Sequence, residues 1–467
     1  RIWIFEKEEN DISFNYLGMQ KIQFLLSNAF YRISSVLSGT FYLKKIKIIK
    51  KYELKEREEI EDFQFQALKK LINTAYIEVP FYRKKYKERG LDDTSLVSLA
   101  DLSKFPFVSK SEIKEEYRSM INNKYSLNNL KRTTSSGSTG APKSFYYDKK
   151  TYGWRMASLF NGWSRVGFKL GQKWMRITNV ERNSLFYRLW NYFSRCTYVN
   201  ADKLDNESLD NIIELIKKDK PSLIYSYSIS MYLIADYLDK KGEKIDFVNI
   251  IITHGSILFP HYREVIERVF GIKVTDTYGG DGMVMSGQCS NGNYHIQDLG
   301  IILEFVDDNY NPLPAGVKGR VLVTDLHNHA MPIIRYEIGD LGIREKGICG
   351  CGNNFSLMRQ PEGRDTDIIK LSNGTILTVH YFGVLFRKYE NKILAFQVRE
   401  IEENFLKILL VVSNQFTELL KRSLVDEITT YADGGVKLEI ELVDEIPVLN
   451  INKRRYMIGR DDIVGVA

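Results

Sequence analysis

This 467-residue chain is poor in cysteine, proline and histidine, with 4, 10 and 6 of them, and its net charge is only +7. Four cysteines are too few for a disulfide scaffold in a chain of this length, so we expect a reducing compartment, the cytoplasm. No apolar run in the given sequence reaches membrane-spanning length, and we expect a soluble protein without a secretory signal. The weak, dispersed charge argues against nucleic acid as a partner and suits anionic small molecules.

Hydrophobic residues, by contrast, make up 44% of the chain and aromatic residues 12%. This composition excludes wholesale disorder and allows a sizeable core. The length suits one large domain with a small one, or two to three ordinary domains.

The first part of the chain has helical apolar spacing. Between Glu61 and Val79 apolar residues recur every three or four positions, and Pro80 ends that helix. Residues 22–49 are either a helix packed over the main domain or a basic amphipathic segment that associates peripherally with an anionic membrane. The second interpretation depends on a cluster of lysines, Lys44, Lys45, Lys47, Lys50 and Lys51.

Helix-like and strand-like runs alternate between Asn206 and Tyr278. Such βαβ alternation implies a largely parallel sheet with helices on its faces, and the fold class we predict is therefore α/β. Ligands of these sheets bind at the carboxyl ends of the strands, where the loops His254–Ser256 and Tyr278–Gly280 fall.

The last hundred residues have the pattern of a separate unit. We expect a large N-terminal domain, residues 1–365, and a small mobile α+β domain, residues 366–467, hinged to it. The pattern consists of a helix near Phe416–Tyr431 and strand-like runs at Ile393–Val398, Phe405–Val412 and Val436–Val443.

The strongest local signal is a run of serine, threonine and glycine that ends in lysine, Thr133–Lys143. Glycines and small hydroxyl residues let a backbone fold closely around phosphate groups and supply hydrogen-bond donors. A Walker loop has similar spacing, but here Pro142 replaces its second glycine, and residues 144–147 look like a strand instead of the helix that a Walker loop opens. A plain flexible linker is the remaining alternative.

With this loop, the chain resembles the adenylate-forming superfamily of acyl-CoA synthetases, peptide-synthetase adenylation domains and luciferases, and in particular its phenylacetate–CoA ligase/CapK-like branch. Further segments resemble that branch in its own order, over roughly residues 60 to 460. They are Ala75–Arg83 with Asp101–Pro106, the adenine-binding Phe270–Gly279, the ribose-binding Met331–Asp340, the hinge Gly363–Asp367 and the catalytic lysine motif Ile446–Arg455.

The resemblance implies a role for each motif. Tyr278 offers an aromatic face to adenine, and Asp340 accepts hydrogen bonds from the ribose hydroxyls. Lys453 is the expected catalytic residue, because it offsets charge that builds between the carboxylate and the α-phosphate. Thr366 marks the hinge. The complete set expected to bind ATP is Ser135, Ser136, Gly137, Ser138, Thr139, Gly140, Lys143, Gly255, Ser256, Asp276, Tyr278, Gly279, Asp340 and Arg364.

The chain departs from the family pattern at the metal position. The family has a glutamate that helps to hold Mg²⁺ where this chain has Gly282, with Asp281 before it. Asp281 supplies the carboxylate if the backbone shifts by one residue; otherwise metal binding is weakened. Ser256 and Asn452 are further departures, at positions where an acid and a glycine are usual.

Three cysteines and a histidine suggest a second metal site. Cys349 and Cys351 form one tight pair, and Cys289 with His295 forms another. Three thiolates and one imidazole are an accepted set for tetrahedral zinc, so these four residues predict a structural zinc. Free buried thiols and a surface histidine are the alternative.

The resemblance implies a ligase with two half-reactions. A carboxylic acid and MgATP give acyl-AMP and pyrophosphate, and an acceptor then takes the acyl group. CoA is the expected acceptor, and an amine in capsule or surface-polysaccharide assembly is the alternative. From another class, a catalytically weakened binding component of such a pathway is a third alternative. The identity of the acid cannot be read from the sequence.

Overall fold

The computed structural model describes residues 21–135, 143–178, 184–201, 204, 206–361, 368–373, 375–378, 381–382, 385–386, 388–389, 392–446 and 456–459.

Some of the helices begin at side-chain caps. Ser109 and Glu112 form a capping box at the start of α5, and the Asp148 carboxylate accepts the Thr151 N–H at the start of α6. The helices are α1 (residues 21–37), α2 (Tyr42–Tyr52), α3 (Arg57–Glu78), α4 (Pro80–Lys87), α5 (Lys110–Glu116), α6 (Lys149–Arg165), α7 (Leu185–Ser194), α8 (Asn206–Asp219), α9 (Ser228–Lys240), α10 (Pro260–Phe270) and α11 (Glu418–Tyr431).

The strands form an eight-stranded sheet, a four-stranded sheet, a three-stranded sheet and two hairpins within the described residues. They are β1 (Lys131–Ser135), β2 (Lys143–Tyr147), β3 (Trp174–Thr178), β4 (Cys196–Asn200), β5 (Leu223–Tyr227), β6 (Ile250–His254), β7 (Val274–Gly280), β8 (Met283–Gln288), β9 (Tyr294–Ile296), β10 (Ile301–Val306), β11 (Lys318–Asp325), β12 (Tyr336–Ile343), β13 (Leu357–Met358), β14 (Ile368–Lys370), β15 (Ile376–Thr378), β16 (Ile393–Glu402), β17 (Phe405–Val412), β18 (Lys437–Leu442) and β19 (Met457–Ile458).

The eight-stranded sheet has the order β13-β9-β8-β7-β6-β5-β3-β4. Its last five strands in that order, β7, β6, β5, β3 and β4, run parallel. Helices α8, α9 and α10 connect successive strands and bury their apolar faces in the same core as the isoleucines of β5 and β6. The α/β prediction is therefore confirmed. Tyr227, His254 and Thr277 lie side by side in the ladder, so the loops after β5, β6 and β7 emerge at one edge.

A second, antiparallel layer carries the segment that resembles the ribose motif. Strands β10, β11 and β12 pair in sequence, and Arg335 precedes β12 with a buried guanidinium. That guanidinium donates to Glu304 at 3.0 and 3.1 Å and to the carbonyl oxygen of Phe105 at 2.6 Å. Arg335 thus ties the early chain to the start of β12.

The predicted C-terminal elements are present. Strands β18, β17, β16 and β19 form one sheet with α11 beside it, as the strand-like runs and the helix near residues 416–431 indicated. The Tyr456 hydroxyl lies 2.9 Å from that of Tyr262, and its ring contacts Phe259. The boundary at residue 365 and the hinge residue Thr366 lie outside the described residues and stay predictions.

Residues 22–49 form two helices that pack on the large domain. Tyr31 on α1 and Tyr42 and Ile49 on α2 are almost completely buried. The Tyr42 hydroxyl donates to the carbonyl oxygen of Tyr31 at 2.7 Å, which fixes the turn between the two helices. Among the helices that the structure describes, none combines the length and the apolarity needed to cross a bilayer.

Candidate active site

Two glycine-containing loops lie at the carboxyl edge of the parallel strands, where the alternation of helices and strands placed them. Gly255 follows β6 with φ +75°, and a Cβ there would lie 2.7 Å from the Tyr227 ring. The Ser228 hydroxyl donates to the carbonyl oxygen of Ser256 at 2.9 Å and holds this loop. The Ser256 side chain is exposed, so the loop is open to a ligand from the solvent side.

Two predicted nucleotide contacts meet although they are far apart in the chain. Tyr278 at the end of β7 donates its hydroxyl to the carboxylate of Asp340 on β12 at 2.8 Å. Both side chains are partly exposed. Gly279 has no room for a side chain, because a Cβ would lie 2.3 Å from the carbonyl oxygen of Met283, and Gly339 has φ +79°. The adenine motif and the ribose motif therefore form one site.

Asp276, also predicted to bind ATP, lies inside the sheet. Its carboxylate accepts hydrogen bonds from the Thr253 and Tyr294 hydroxyls, both at 2.7 Å. Burial raises the pKa of this carboxyl, and those hydrogen bonds oppose the shift. In this conformation Asp276 fixes β7 against its neighbours, and its contact with ATP stays a prediction.

The predicted phosphate loop is closed by a hairpin. Ser135 at the end of β1 pairs with Lys143 at the start of β2, so a strand follows the loop, as expected, and not the helix of a Walker loop. The side-chain amide of Asn328 donates to the carbonyl oxygen of Tyr146 at 3.0 Å, which holds β2 beside the ribose motif. Several predicted residues lie outside the described part of the chain: Ser136, Gly137, Ser138, Thr139, Gly140, Arg364, Thr366 and Lys453.

The turn that carries Asp281 and Gly282 explains the missing glutamate. Gly282 has φ +81°, and a Cβ there would lie 3.0 Å from both the Arg155 guanidinium and the Thr133 methyl group. Side chains rarely adopt this backbone conformation, so glycine relieves both strain and crowding. The Asp281 carboxylate points the other way and accepts the Tyr336 hydroxyl at 3.0 Å.

Sequence reasoning missed Arg155. Its guanidinium pairs with Asp325 at 2.9 Å and lies over the Tyr147 ring at 4.5 Å. Its Nε and Nη1 groups are buried and have no hydrogen-bond partner in the described part of the chain. The signal that might have found it is its position as the lone charge in the apolar stretch 152–163 of α6.

Curated relatives match much of this architecture. The chain is 24% identical to a phenylacetate–coenzyme A ligase of Thermus thermophilus, over 67% of this chain and 72% of that protein. It is 23% identical to the enzyme of the same name from Pseudomonas putida, over 86% of each. No family model matches the chain.

A solved structure matches the whole fold. A 2-hydroxyisobutyryl-CoA ligase in its postadenylation state, in complex with R3-HIB-AMP, has a TM-score of 0.73 and 18% identity. The match covers 89% of this chain and 92% of that one. The curated relatives support the expected likeness to the phenylacetate–CoA ligase-like branch of the adenylate-forming superfamily, and the solved ligase supports the fold. The expected mixed α/β architecture is that of the solved ligase.

The fold also brings the four predicted zinc ligands together. Four ligand atoms, three sulfurs and one ring nitrogen, lie within 4.8 Å of one another. They belong to Cys289, His295, Cys349 and Cys351. The Cys289 and Cys349 sulfurs are 3.7 Å apart, and the Cys351 sulfur is 3.3 Å from Nε2 of His295. Two ligands of tetrahedral zinc at about 2.3 Å lie about 3.8 Å apart, so this spacing suits zinc and is too long for a disulfide.

Strand pairing holds this Cys/His cluster. His295 on β9 lies opposite Leu357 on β13, which brings the loop with both late cysteines over β9. His295 is completely buried, so the alternative of a surface histidine is wrong. Burial lowers the pKa of His295 to about 4, which leaves the ring neutral near pH 7. Its Nδ1 lies 3.4 Å from the carbonyl oxygen of Phe355, and Nε2 faces the sulfurs.

Proposed function

We propose that the protein activates a carboxylic acid as its acyl-AMP with ATP and then transfers the acyl group to CoA. The observation that carries this proposal is the 2.8 Å hydrogen bond between Tyr278 and Asp340 at the carboxyl edge of the sheet. It joins the aromatic face for adenine to the acceptor for the ribose hydroxyls. The names of the curated relatives and the acyl-AMP complex of the solved ligase support the same reaction.

The described residues fit a nucleotide. Asp340 is partly exposed, and its carboxylate accepts hydrogen bonds from both ribose hydroxyls while Tyr278 fixes its orientation. Gly255 and Gly279 let the backbone approach a flat base closely, because no side chain stands in the way. The hairpin of β1 and β2 presents the Thr133–Lys143 segment to the phosphates, and Lys453 offsets the charge of the adenylation transition state.

Magnesium is the part of the proposal that this chain builds differently from its family. A carboxylate at the loop edge supplies the oxygen ligand that Mg²⁺ prefers, and Asp281 is the acid of this turn. Arg155 lies on the other side of Gly282 with unpaired donors, so it adds positive charge where the family has a negative side chain. We infer that Asp281 contacts the metal and that Arg155 offsets part of the phosphate charge.

ATP–pyrophosphate exchange over a panel of aryl, fatty and amino acids tests the first half-reaction. Exchange should occur with one class of acid and should require Mg²⁺. Formation of ADP in place of AMP would contradict adenylation. A chain that binds ATP but exchanges with no acid would support the catalytically weakened binding component.

The acceptor is tested separately with the acid that supports exchange. We expect a thioester only when CoA is supplied. An amide bond synthetase from Marinactinospora thermotolerans has the same fold, with a TM-score of 0.51 and 15% identity, so the fold also serves amide chemistry. If the protein formed an amide with an amino sugar and no thioester with CoA, the acceptor would be an amine. That result would favour a role in polysaccharide assembly of the CapK type.

We further propose that Cys289, His295, Cys349 and Cys351 bind one structural zinc. Convergence of four ligand atoms from two loops, with three of the residues buried, supports it. Elemental analysis of the purified protein should give about one zinc per chain. If the purified protein contained no zinc and a chelator left its stability unchanged, the zinc proposal would be wrong. The cluster would then consist of three free thiols and a free imidazole.

The location of the protein is a separate proposal. Four cysteines without a disulfide fit the reducing cytoplasm. The lysines of α2 support peripheral association with a membrane there, since Lys44, Lys47 and Lys51 are exposed on the face opposite Tyr42 and Ile49.

A further inference from the structure

Two helices, α1 and α7, carry strongly exposed apolar side chains. We call the exposed faces of α1 and α7 the α1–α7 surface. Scattered apolar side chains are normal on any protein, but a continuous patch usually marks an interaction site. Its most exposed members are all more than 60% accessible: Leu25, Leu26, Leu37, Leu185, Phe186 and Tyr192.

Direct contacts between α1 and α7 make these faces one surface. The Phe30 ring stacks on Phe193 at 5.4 Å and meets Trp190 edge-on at 5.1 Å. The Tyr31 hydroxyl donates to the carbonyl oxygen of Ser194 at the end of α7 at 3.1 Å. Partly exposed aromatic contacts and the buried Tyr31 therefore hold α1 against α7, while the outer residues of the surface stay in water.

The charges carried by the chain segments that form and flank this surface have one sign. Residues 21–52 and 184–200 contain no aspartate or glutamate, and every charged residue in both stretches is lysine or arginine. Helix α2 follows α1 directly and exposes Lys44, Lys47 and Lys51 on the face away from the core. Residues 21–52 and 184–200 therefore combine exposed apolar side chains with an absence of aspartate and glutamate.

We propose that the α1–α7 surface docks on an anionic lipid bilayer. An interfacial helix places leucine and aromatic side chains at the boundary between headgroups and acyl chains, while its lysines attract anionic lipids. A second copy of the chain would oppose positive charge with positive charge, which disfavours a dimer through this face. The proposal specifies the peripheral association suggested above and does not depend on the ligase activity, because no residue of the proposed active site takes part.

Co-sedimentation of the full chain with vesicles tests the proposal. The chain should bind vesicles of phosphatidylcholine with phosphatidylglycerol, bind pure phosphatidylcholine much more weakly, and dissociate as salt is raised. Lys44→Gln/Lys47→Gln/Lys51→Gln should lower the partition coefficient about a hundredfold, since each basic residue near an anionic surface contributes about fivefold. Leu185→Ser/Phe186→Ser should lower it at least about tenfold through lost apolar burial.

Matched variants elsewhere control for general effects of charge and polarity. Ile348→Ser/Leu419→Ser removes two side chains that are 81% and 78% exposed away from this surface, and should leave binding unchanged. Lys69→Gln/Lys70→Gln/Lys84→Gln removes the same charge from α3 and α4 and should have little effect. Exchange with a water-soluble acid, measured without vesicles, should persist in all four variants and reports on the ligase separately.

Three outcomes would overturn the proposal. They are no binding of the full chain to anionic vesicles, equal loss of binding in the control variants, and a stable dimer that Leu185→Ser/Phe186→Ser dissociates. The last would assign the surface to a second copy of the chain.

Discussion

The nucleotide edge and the Cys/His cluster both include strands of the eight-stranded sheet, with Tyr278 on β7 and His295 on β9, but they are built in different ways. At the nucleotide edge, Tyr278 and Asp340 touch each other and remain partly exposed. In the cluster, four ligand atoms lie within 4.8 Å, and three of the four residues are buried. A closed set of this kind suits a metal that stabilises structure, whereas an open polar edge suits a ligand that enters and leaves.

This difference has a measurable consequence. Substitutions at the nucleotide edge should change rates and ATP affinity and leave unfolding temperatures nearly unaltered. Substitutions in the Cys/His cluster should change stability first, and activity only through it. The experiments below test that separation, from the largest expected effect to the smallest.

Lys453→Ala should have the largest effect on rate. It should slow acyl-AMP formation at least about a hundredfold, the size expected for loss of one well-placed electrostatic donor. If the small domain rotates between half-reactions, transfer from supplied, preformed acyl-AMP should remain nearly normal in the same variant. Equal damage to both half-reactions would mean that the lysine is structural and that the assignment of a mobile domain is wrong.

Asp340→Asn should raise the KM for ATP by about tenfold or more, because hydrogen bonds to a charged acceptor contribute about 1.5–3 kcal/mol. Tyr278→Phe is its matched partner: it keeps the ring for adenine and removes only the hydroxyl that orients Asp340. That change should raise the KM only a few-fold. The separation between the two regions would be wrong if Asp340→Asn lowered the free energy of unfolding by as much as it lowered the free energy of ATP binding.

Cys349→Ala should lower the unfolding temperature by at least a few degrees, since a loss of about 1 kcal/mol corresponds to about 2–4 °C in domains of 150–250 residues. A chelator should bring the wild-type protein to the same temperature. Cys196→Ala, a buried cysteine outside the cluster, is the control and should remain sensitive to the chelator. If both variants lowered the unfolding temperature equally and the chelator had no effect, the cluster would stabilise the protein only by packing and not by binding a metal.

Much of the fold could be predicted from the sequence because its signals are local. The alternation of helices and strands from Asn206 to Tyr278 predicted a largely parallel sheet, and the strand-like runs near the C-terminus predicted strands of the four-stranded sheet; the order of the strands came from the structure. The meeting of Tyr278 and Asp340 followed from the family order of motifs. Spacing alone does not bring residues 62 positions apart together.

The sequence could not reveal contacts that depend on packing between distant elements. Arg155 belongs to no motif, and its relation to Gly282 exists only because α6 crosses behind the turn after β7. The exposure of α7 was equally hidden, since the sequence of Leu185–Ser194 is apolar enough for a core helix. Burial is a property of the assembled layers, and one chain segment does not encode it.

The smallest effect concerns the metal turn. If Asp281 supplies the carboxylate that the family places one residue later, Asp281→Asn should raise the Mg²⁺ concentration needed for half-maximal exchange by a few-fold. Tyr336→Phe is the matched control, because it removes the hydroxyl that binds Asp281 and keeps the carboxylate. It should leave that Mg²⁺ requirement nearly unchanged.

Gly282→Glu completes the test by restoring the family residue. It should not lower the Mg²⁺ requirement, since a side chain at φ +81° is strained and meets Arg155 and Thr133 within 3.0 Å. Instead it should destabilise the protein by about 1–3 kcal/mol, the usual cost of such a backbone conformation. Gly292→Glu is a fair comparison, because that glycine also has positive φ but has open space around it. Backbone strain alone would make the two losses equal, whereas crowding by Arg155 and Thr133 makes the loss at Gly282 larger. A stable Gly282→Glu protein with a lower Mg²⁺ requirement would contradict this expectation. It would show that Arg155 moves aside and that a carboxylate at position 282 binds the metal.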